Sequence, residues 1–194
     1  MTVMRDKVVK ALVELNVRGD ENGLMPGYNV LVNFLPTAFW NLFAERLILA
    51  AKPEDKKEVR DGLYRCAQEC GYHTGYGIIN SDEFNAVVMP MVTEGAKDIL
   101  RGAFAVFTAW GWAKSGVVQI REGEKMVIRA QDYYEQDTHL KGEKMAFMVM
   151  AGSGAFFDLA YGAPYPKGLG TFIGEEIKGI ELGDEFGEFI VNRT

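Results

Sequence analysis

Apolar residues recur at helical spacing from the start of the chain. Val8, Leu12 and Leu15, flanked by Val9 and Val13, predict an amphipathic helix over residues 4–15. Residues 16–27 break that pattern with Gly19, Asp20, Asn22, Gly23, Pro26 and Gly27, which reads as a turn-rich loop. The short apolar stretch 28–35 is either a strand or the approach to the next helix. Pro36 and Thr37 open a helix over 38–51 that is apolar nearly all round, with Phe39, Trp40, Leu42, Phe43, Leu47, Ile48 and Leu49. Such a helix is expected to be buried on several sides. Pro53, Glu54 and Asp55 start the next helix, because proline suits a first turn and acids suit the positive end of the dipole. It runs to about Tyr76, where Gly75 and Gly77 punctuate. Ser81, Asp82 and Glu83 predict a short helical turn. After Pro90 a long helix carries Val92, Ala96, Ile99, Leu100, Ala103, Phe104 and Phe107 toward Trp110, with Asp98 and Arg101 outside the stripe.

From Ser115 the period changes to two. Val118 and Ile120 alternate with Gln119 and Arg121, a Glu122-Gly123-Glu124 turn follows, and Met126, Ile128 and Ala130 return. A helix is expected over 144–161, and a second hairpin closes the chain over 171–182 and 186–192. The order helices, hairpin, helix, hairpin implies an α+β fold, a four-stranded antiparallel sheet packed with helices. The expected organisation is an N-terminal helix and loop, residues 1–27, leading into a main unit, residues 28–194, as one folded whole.

Composition narrows the chemistry. Among 194 residues, 21 Lys and Arg face 27 Asp and Glu, and the net charge of −6 argues against nucleic-acid binding. Two cysteines and two histidines exclude a three-histidine zinc site and a disulfide framework. The charged N-terminus lacks the apolar core of a secretory signal, and neither 102–113 nor 145–161 suits a membrane span, so a soluble cytoplasmic protein is expected.

Several residues could carry chemistry. Cys66, Cys70 and His73 fall within a stripe of roughly 60° on one helix. They are metal ligands, with a further one from His139 or Asp137, or a thiolate with a neighbouring base, or else small residues filling a packing face with His73 at its end. Asp158 stands in an otherwise apolar helix, one turn from Tyr161. Burial would raise its pKa and suit it to acid/base work or to anchoring a ligand; the alternative is an aspartate satisfied by backbone. Gly152, Ser153 and Gly154 lack the order of a nucleophile elbow and instead suit close helix approach, within the chain or across a dimer axis. Of Tyr133 and Tyr134 at the end of the first hairpin, one must face each side of the sheet. Glu175, Glu176 and Lys178 read as a solvated strand pattern.

The second half of the chain resembles a known family. The small-residue-rich helix 148–161 followed by 174–191 is similar to the end of 4-vinyl-reductase domains, also called predicted hydrocarbon-binding domains. Their closing hairpin reads roughly Glu-x-Lys-Cys-x-x-x-Gly-Asp-x-x-Cys-x-Phe. Glu176, Lys178, Gly183, Asp184 and Phe189 fall in those places, and Gly71 and Gly75 match a glycine-punctuated helix. Both cysteine positions are glycine here, Gly179 and Gly187, so any thiol or metal role attached to them is absent. The resemblance implies helices on an antiparallel sheet, often dimeric, with an apolar ligand pocket between them. The fold hosts binding, scaffolding and catalysis alike.

The resulting expectation is a homodimer that binds a small apolar or aromatic molecule without a cofactor or metal, as sensor or carrier. Phe104, Phe107, Trp110, Tyr133, Tyr134 and Phe157 are the expected ligand-binding residues. The alternative is a metal-independent hydrolase or lyase with Asp158 as acid/base, assisted by His73 or Tyr161. A third reading is a structural adaptor with a filled core.

Overall fold

The computed structural model describes residues 4–14, 21–22, 24–32 and 36–194. Helix α1 spans Arg5–Val13 and buries Val8 and Leu12, the two positions its periodicity marks. Leu15 and half of the expected loop, residues 16–20 and 23, lie outside the described residues. A hairpin not anticipated from sequence follows, β1 (Met25–Gly27) and β2 (Val30–Val32). Its two-residue turn, Tyr28-Asn29, holds both residues at positive φ, 54° and 58°, the backbone twist that two-residue hairpins favour. Tyr28 is buried there against Trp110, ring centroids 5.1 Å apart.

Helices α2 (Thr37–Ala50), α3 (Lys56–Ile79) and α4 (Asp82–Val87) come next, then α5 (Ala96–Ala109). Strands β3 (Ala113–Arg121) and β4 (Lys125–Tyr133) form the first predicted hairpin. A 3-10 turn, Tyr134–Asp137, leads toward α6 (Phe147–Tyr161), and β5 (Phe172–Lys178) and β6 (Gly187–Arg193) form the second hairpin. The fold is α+β, with an antiparallel four-stranded sheet in the order β3-β4-β6-β5 beside the small β1-β2 hairpin. The two large hairpins therefore join through β4 and β6, with Ile128 opposite Phe189 and Met126 opposite Val191. No helix among the described residues is long and apolar enough to cross a membrane.

Helices α5 and α6 cover one face of the sheet. Their side chains Phe104, Phe107, Val149, Phe156 and Phe157 form one cluster with Met126, Ile128, Phe172, Phe189 and Val191. Helix α1 packs behind α5, in a second cluster with Tyr28, Phe84 and Val106. Helix α3 lies against α6, and glycines set the distance between them. A Cβ on Gly71 would sit 3.0 Å from the Gly152 Cα, and one on Gly75 would press on Leu159 and Phe156. The small residues of α6 thus serve packing within the chain, onto α3 and onto the strand that carries Gly174.

Three expectations need correction. Helix α2 is not buried on several sides: Phe39, Trp40, Leu42, Phe43, Leu47 and Leu49 are all exposed, while Asn41, Glu45 and Ile48 are buried. Its polar stripe is what docks. Asn41 donates to the Tyr134 carbonyl at 2.8 Å, and Glu45 accepts from Thr138 Oγ1 at 2.7 Å and His139 N at 2.6 Å. Asp98 is not on the wet side of α5 but fully buried. It accepts from the Thr93 and Glu94 amides at 2.8 and 2.9 Å and pairs with Arg101 at 2.8 Å. Burial opposes its charge, yet these bonds outweigh burial and hold its carboxyl well below the usual range. Glu176 is not solvated either. Strand parity puts it on the inner face with Phe172 and Gly174, while Ile173 and Ile177 point outward.

Candidate functional site

The aromatic side chains expected to hold a ligand mostly converge between α5, α6 and the sheet. Phe104, Phe107 and Phe156 pack edge to face, with centroids 5.4 to 6.4 Å apart. Phe157 stands against Phe172 and Tyr161 at 4.6 and 4.9 Å. Trp110 is the exception. It ends α5 and turns to the α1 side, against Tyr28, whereas Trp112 enters the main cluster, 5.2 Å from Phe107 and 6.0 Å from Tyr134. Gly111 between them takes φ of 76°, so the two indoles leave the chain on different sides.

Tyr133 faces inward and its hydroxyl donates to Glu181, while accepting from the Ile180 amide at 2.9 Å. Burial, then Glu181, drives its pKa up. Tyr134 starts the 3-10 turn rather than the opposite face of the strand, and burial raises its pKa as well. Tyr161 is half-buried, and its hydroxyl oxygen is buried without a hydrogen-bond partner. That is a buried polar atom left unpaired on a side chain that packs against the aromatic cluster, with Glu122, Lys97 and Arg101 as the charged groups that act on it, an arrangement that costs stability unless something else uses it.

Asp158 is fully buried, and both oxygens are engaged. They accept from the amides of Gly170 and Phe172, each at 2.8 Å, so the carboxylate anchors the segment leading from α6 into β5. Burial pushes its pKa up to about 6, partly offset by those amides. His73 is elsewhere, its Nδ1 2.9 Å from the Tyr165 hydroxyl. No hydrogen bond joins His73 or Tyr161 to Asp158, so the three residues named for acid/base work do not form one constellation.

The cysteines also leave their expected place. Cys66 and Cys70 are exposed, and the face of α3 that packs is Ala67, Gln68, Gly71, Tyr72 and Gly75. His139, named as a further metal ligand, lies with its Nδ1 3.2 Å from Glu45. Among the described residues no group of three His, Cys, Asp or Glu side chains is placed to hold a metal ion.

Two buried acidic features escaped the sequence reading. Glu135 is buried in the 3-10 turn and caps α6, accepting from the Met148 and Val149 amides at 2.8 and 3.1 Å. Burial raises its pKa to about 8 against the pull of those amides. Glu176 and Glu181 are the other pair, both buried at the β5-β6 turn. The concavities described are open surface grooves. One of about 460 Å³ lies between Arg60, Tyr64, Glu143 and Phe147, and one of about 330 Å³ lies along the β1-β2 hairpin. Neither contains the aromatic cluster.

No protein-family model matches the chain, and no curated protein sequence matches it. Solved structures do. The chain is similar to the phenol-responsive sensory domain of the transcription activator PoxR, crystallised with phenol, with a TM-score of 0.70 at 13% identity. The likeness covers 98% of this chain and 90% of that one. At that identity the fold is what is shared.

Proposed function

We propose that the protein binds a small aromatic molecule between α5, α6 and the inner face of the sheet, as a sensor or carrier of the 4-vinyl-reductase type. One observation carries this reading: the likeness to a domain solved with phenol extends over nearly the whole chain. The interior supports it, with Phe104, Phe107, Trp112, Phe156 and Phe157 in one cluster and Tyr161, whose hydroxyl has no partner, packed against it. The adjoining Met148 and Met150 are flexible side chains that can give way to a ring. The binding residues proposed are Phe104, Phe107, Trp112, Tyr134, Phe157 and Tyr161, with Trp112 in the place first given to Trp110.

Calorimetric titration with phenol and with toluene tests it. Saturable binding of phenol is expected, and Tyr161→Phe is expected to weaken phenol several-fold, the worth of about one hydrogen bond, while leaving toluene unchanged. If neither compound nor any other single-ring aromatic binds saturably, the reading is wrong.

We also propose that the protein acts as a homodimer joined through α2. Six large apolar side chains stand exposed on a helix whose only charged residues are Glu45, which is buried, and Arg46. A surface of that kind is covered in most proteins that keep it. Light scattering is expected to give a dimer mass for the wild type and a monomer mass for Phe43→Glu, with unchanged circular dichroism. A wild-type monomer across the micromolar range would refute it.

A further inference from the structure

The β5-β6 turn holds the least satisfied polar atoms of the described residues. Glu176 is fully buried on the inner face of β5, and Glu181 is nearly so in the turn. Both oxygens of Glu176 and one of Glu181 have no partner. The two carboxyl groups both crowd the same side of Gly179, yet two ionised carboxylates have no donor to offer each other. Two negative charges cannot share a buried site at this distance without a neutralising partner. Gly179 shows how close they come. A Cβ there would strike Glu176 Oε1 and lie 3.0 Å from Glu181 Oε2. A Cβ on Gly187 would lie 2.8 Å from the Tyr133 ring. The two positions where the resembled family carries cysteine are thus the two that glycine must fill to admit this cluster.

The groups facing the pair come from each surrounding element. Tyr133 at the end of β4 donates to Glu181, and its oxygen receives the Ile180 amide. Glu135 of the 3-10 turn adds a further negative charge, and Lys144 before α6 a positive one that opposes it only in part. Asp184 accepts from the Gly179 amide at 3.0 Å across the turn. The turn in this way closes the end of the core, with Ile180 packed on the cluster that contains Tyr133 and Phe189.

We propose that Glu176 and Glu181 hold a single proton between them, and that this shared proton, with Tyr133, latches the β5-β6 turn over the end of the core. Loss of the proton leaves two carboxylates in repulsion and releases the turn, so the latch opens with rising pH. Burial, then Glu181, raises Glu176 to about 9, which places the opening above neutrality. The sign follows from linkage. A carboxyl raised in the fold contributes stability that is whole below the ordinary glutamate range and is lost as pH rises through the folded value. Tyr133→Phe removes the donor to Glu181 and is expected to move the opening to lower pH.

Carboxyl-carbon NMR titration of the full chain, with hydrogen exchange at the Ile180 amide, tests the latch. Glu176 is expected to release its proton well above the ordinary glutamate range, with Ile180 losing protection, corrected for intrinsic exchange, over the same interval. Glu176→Gln keeps a donor without a titrating group and is expected to leave Ile180 protected across that interval. Glu181→Gln serves as the second variant, with the same expectation. The proposal is overturned if the Glu176 carboxyl titrates in the ordinary range, if the variants follow the wild-type exchange profile, or if the purified protein carries a stoichiometric divalent cation there.

Discussion

Asp158→Ala is expected to cost about 3–5 kcal/mol of stability in a urea unfolding titration, because it strips two amides of their acceptor. Gly170 and Phe172 donate to opposite oxygens of the carboxylate, and the Phe172 amide is buried. No neighbouring acceptor is placed to take over, since the next polar groups, Tyr72 and Tyr64, already receive the amides of Gly168 and Gly174. Asp158→Asn keeps one oxygen but turns an NH2 toward an amide, so it is expected to lose a large part of the same stability. Burial raises the Asp158 carboxyl to about 6 from 3.8. The wild type therefore binds an extra proton in the folded state between those values, and its stability falls as pH rises from about 4 to about 6. Asp158→Asn is expected to remove that slope. A structural anchor requires stability to fall in proportion to the lost bonds. A variant as stable as the wild type at pH 7 would return Asp158 to consideration as a free acid/base group.

The same residue shows where sequence reading succeeds and where it stops. An aspartate in an apolar helix is visible as an anomaly, and the helix it sits in was legible from composition alone. Its partners were not, because they lie 12 and 14 residues ahead in a segment with no period. The two large hairpins were legible for the opposite reason, since period two and a Gly-containing turn mark each locally. Helix α2 misled because apolar content reports the need for a neighbour without saying whether the neighbour is in the same chain. Its three buried positions, Asn41, Glu45 and Ile48, are spaced four and three apart, which a search for buried polar stripes would find. Glu176 was legible in principle. It shares parity with Phe172 and Gly174, but two adjacent glutamates read as solvent-facing when charge is weighed before register. Trp110 and Trp112 could not be separated without knowing that Gly111 takes a positive φ.

Gly174→Ala is expected to be the most damaging glycine-to-alanine change among the described residues. The Cβ would strike the carbonyl oxygen of Met150, a backbone atom inside α6 that cannot rotate away. Nor can β5 retreat, because Gly174 pairs with Val191 in the sheet and its amide donates to Tyr64 at 2.9 Å. Gly154 on the facing helix is hemmed in by the same strand, with its Cβ position 3.2 Å from both Gly174 N and Phe172 O. Overpacking a core by one methylene costs about 1–3 kcal/mol when side chains can shift, so a clash between two backbones is expected to exceed about 3 kcal/mol. Gly62→Ala is the matched control. Gly62 lies within α3 with nothing within 4 Å of its Cβ position, and alanine there is expected to gain up to about 1 kcal/mol from helix propensity. Thermal unfolding of both variants separates the two effects, a lowered midpoint for the first and a raised one for the second. If Gly174→Ala melted with the wild type, α6 and β5 would have to stand further apart than a glycine-to-carbonyl contact, leaving room there for a ligand. That outcome would shift the binding site from the α5 side of the sheet to the α6–β5 seam, because only a seam with spare width can absorb a methyl group without cost.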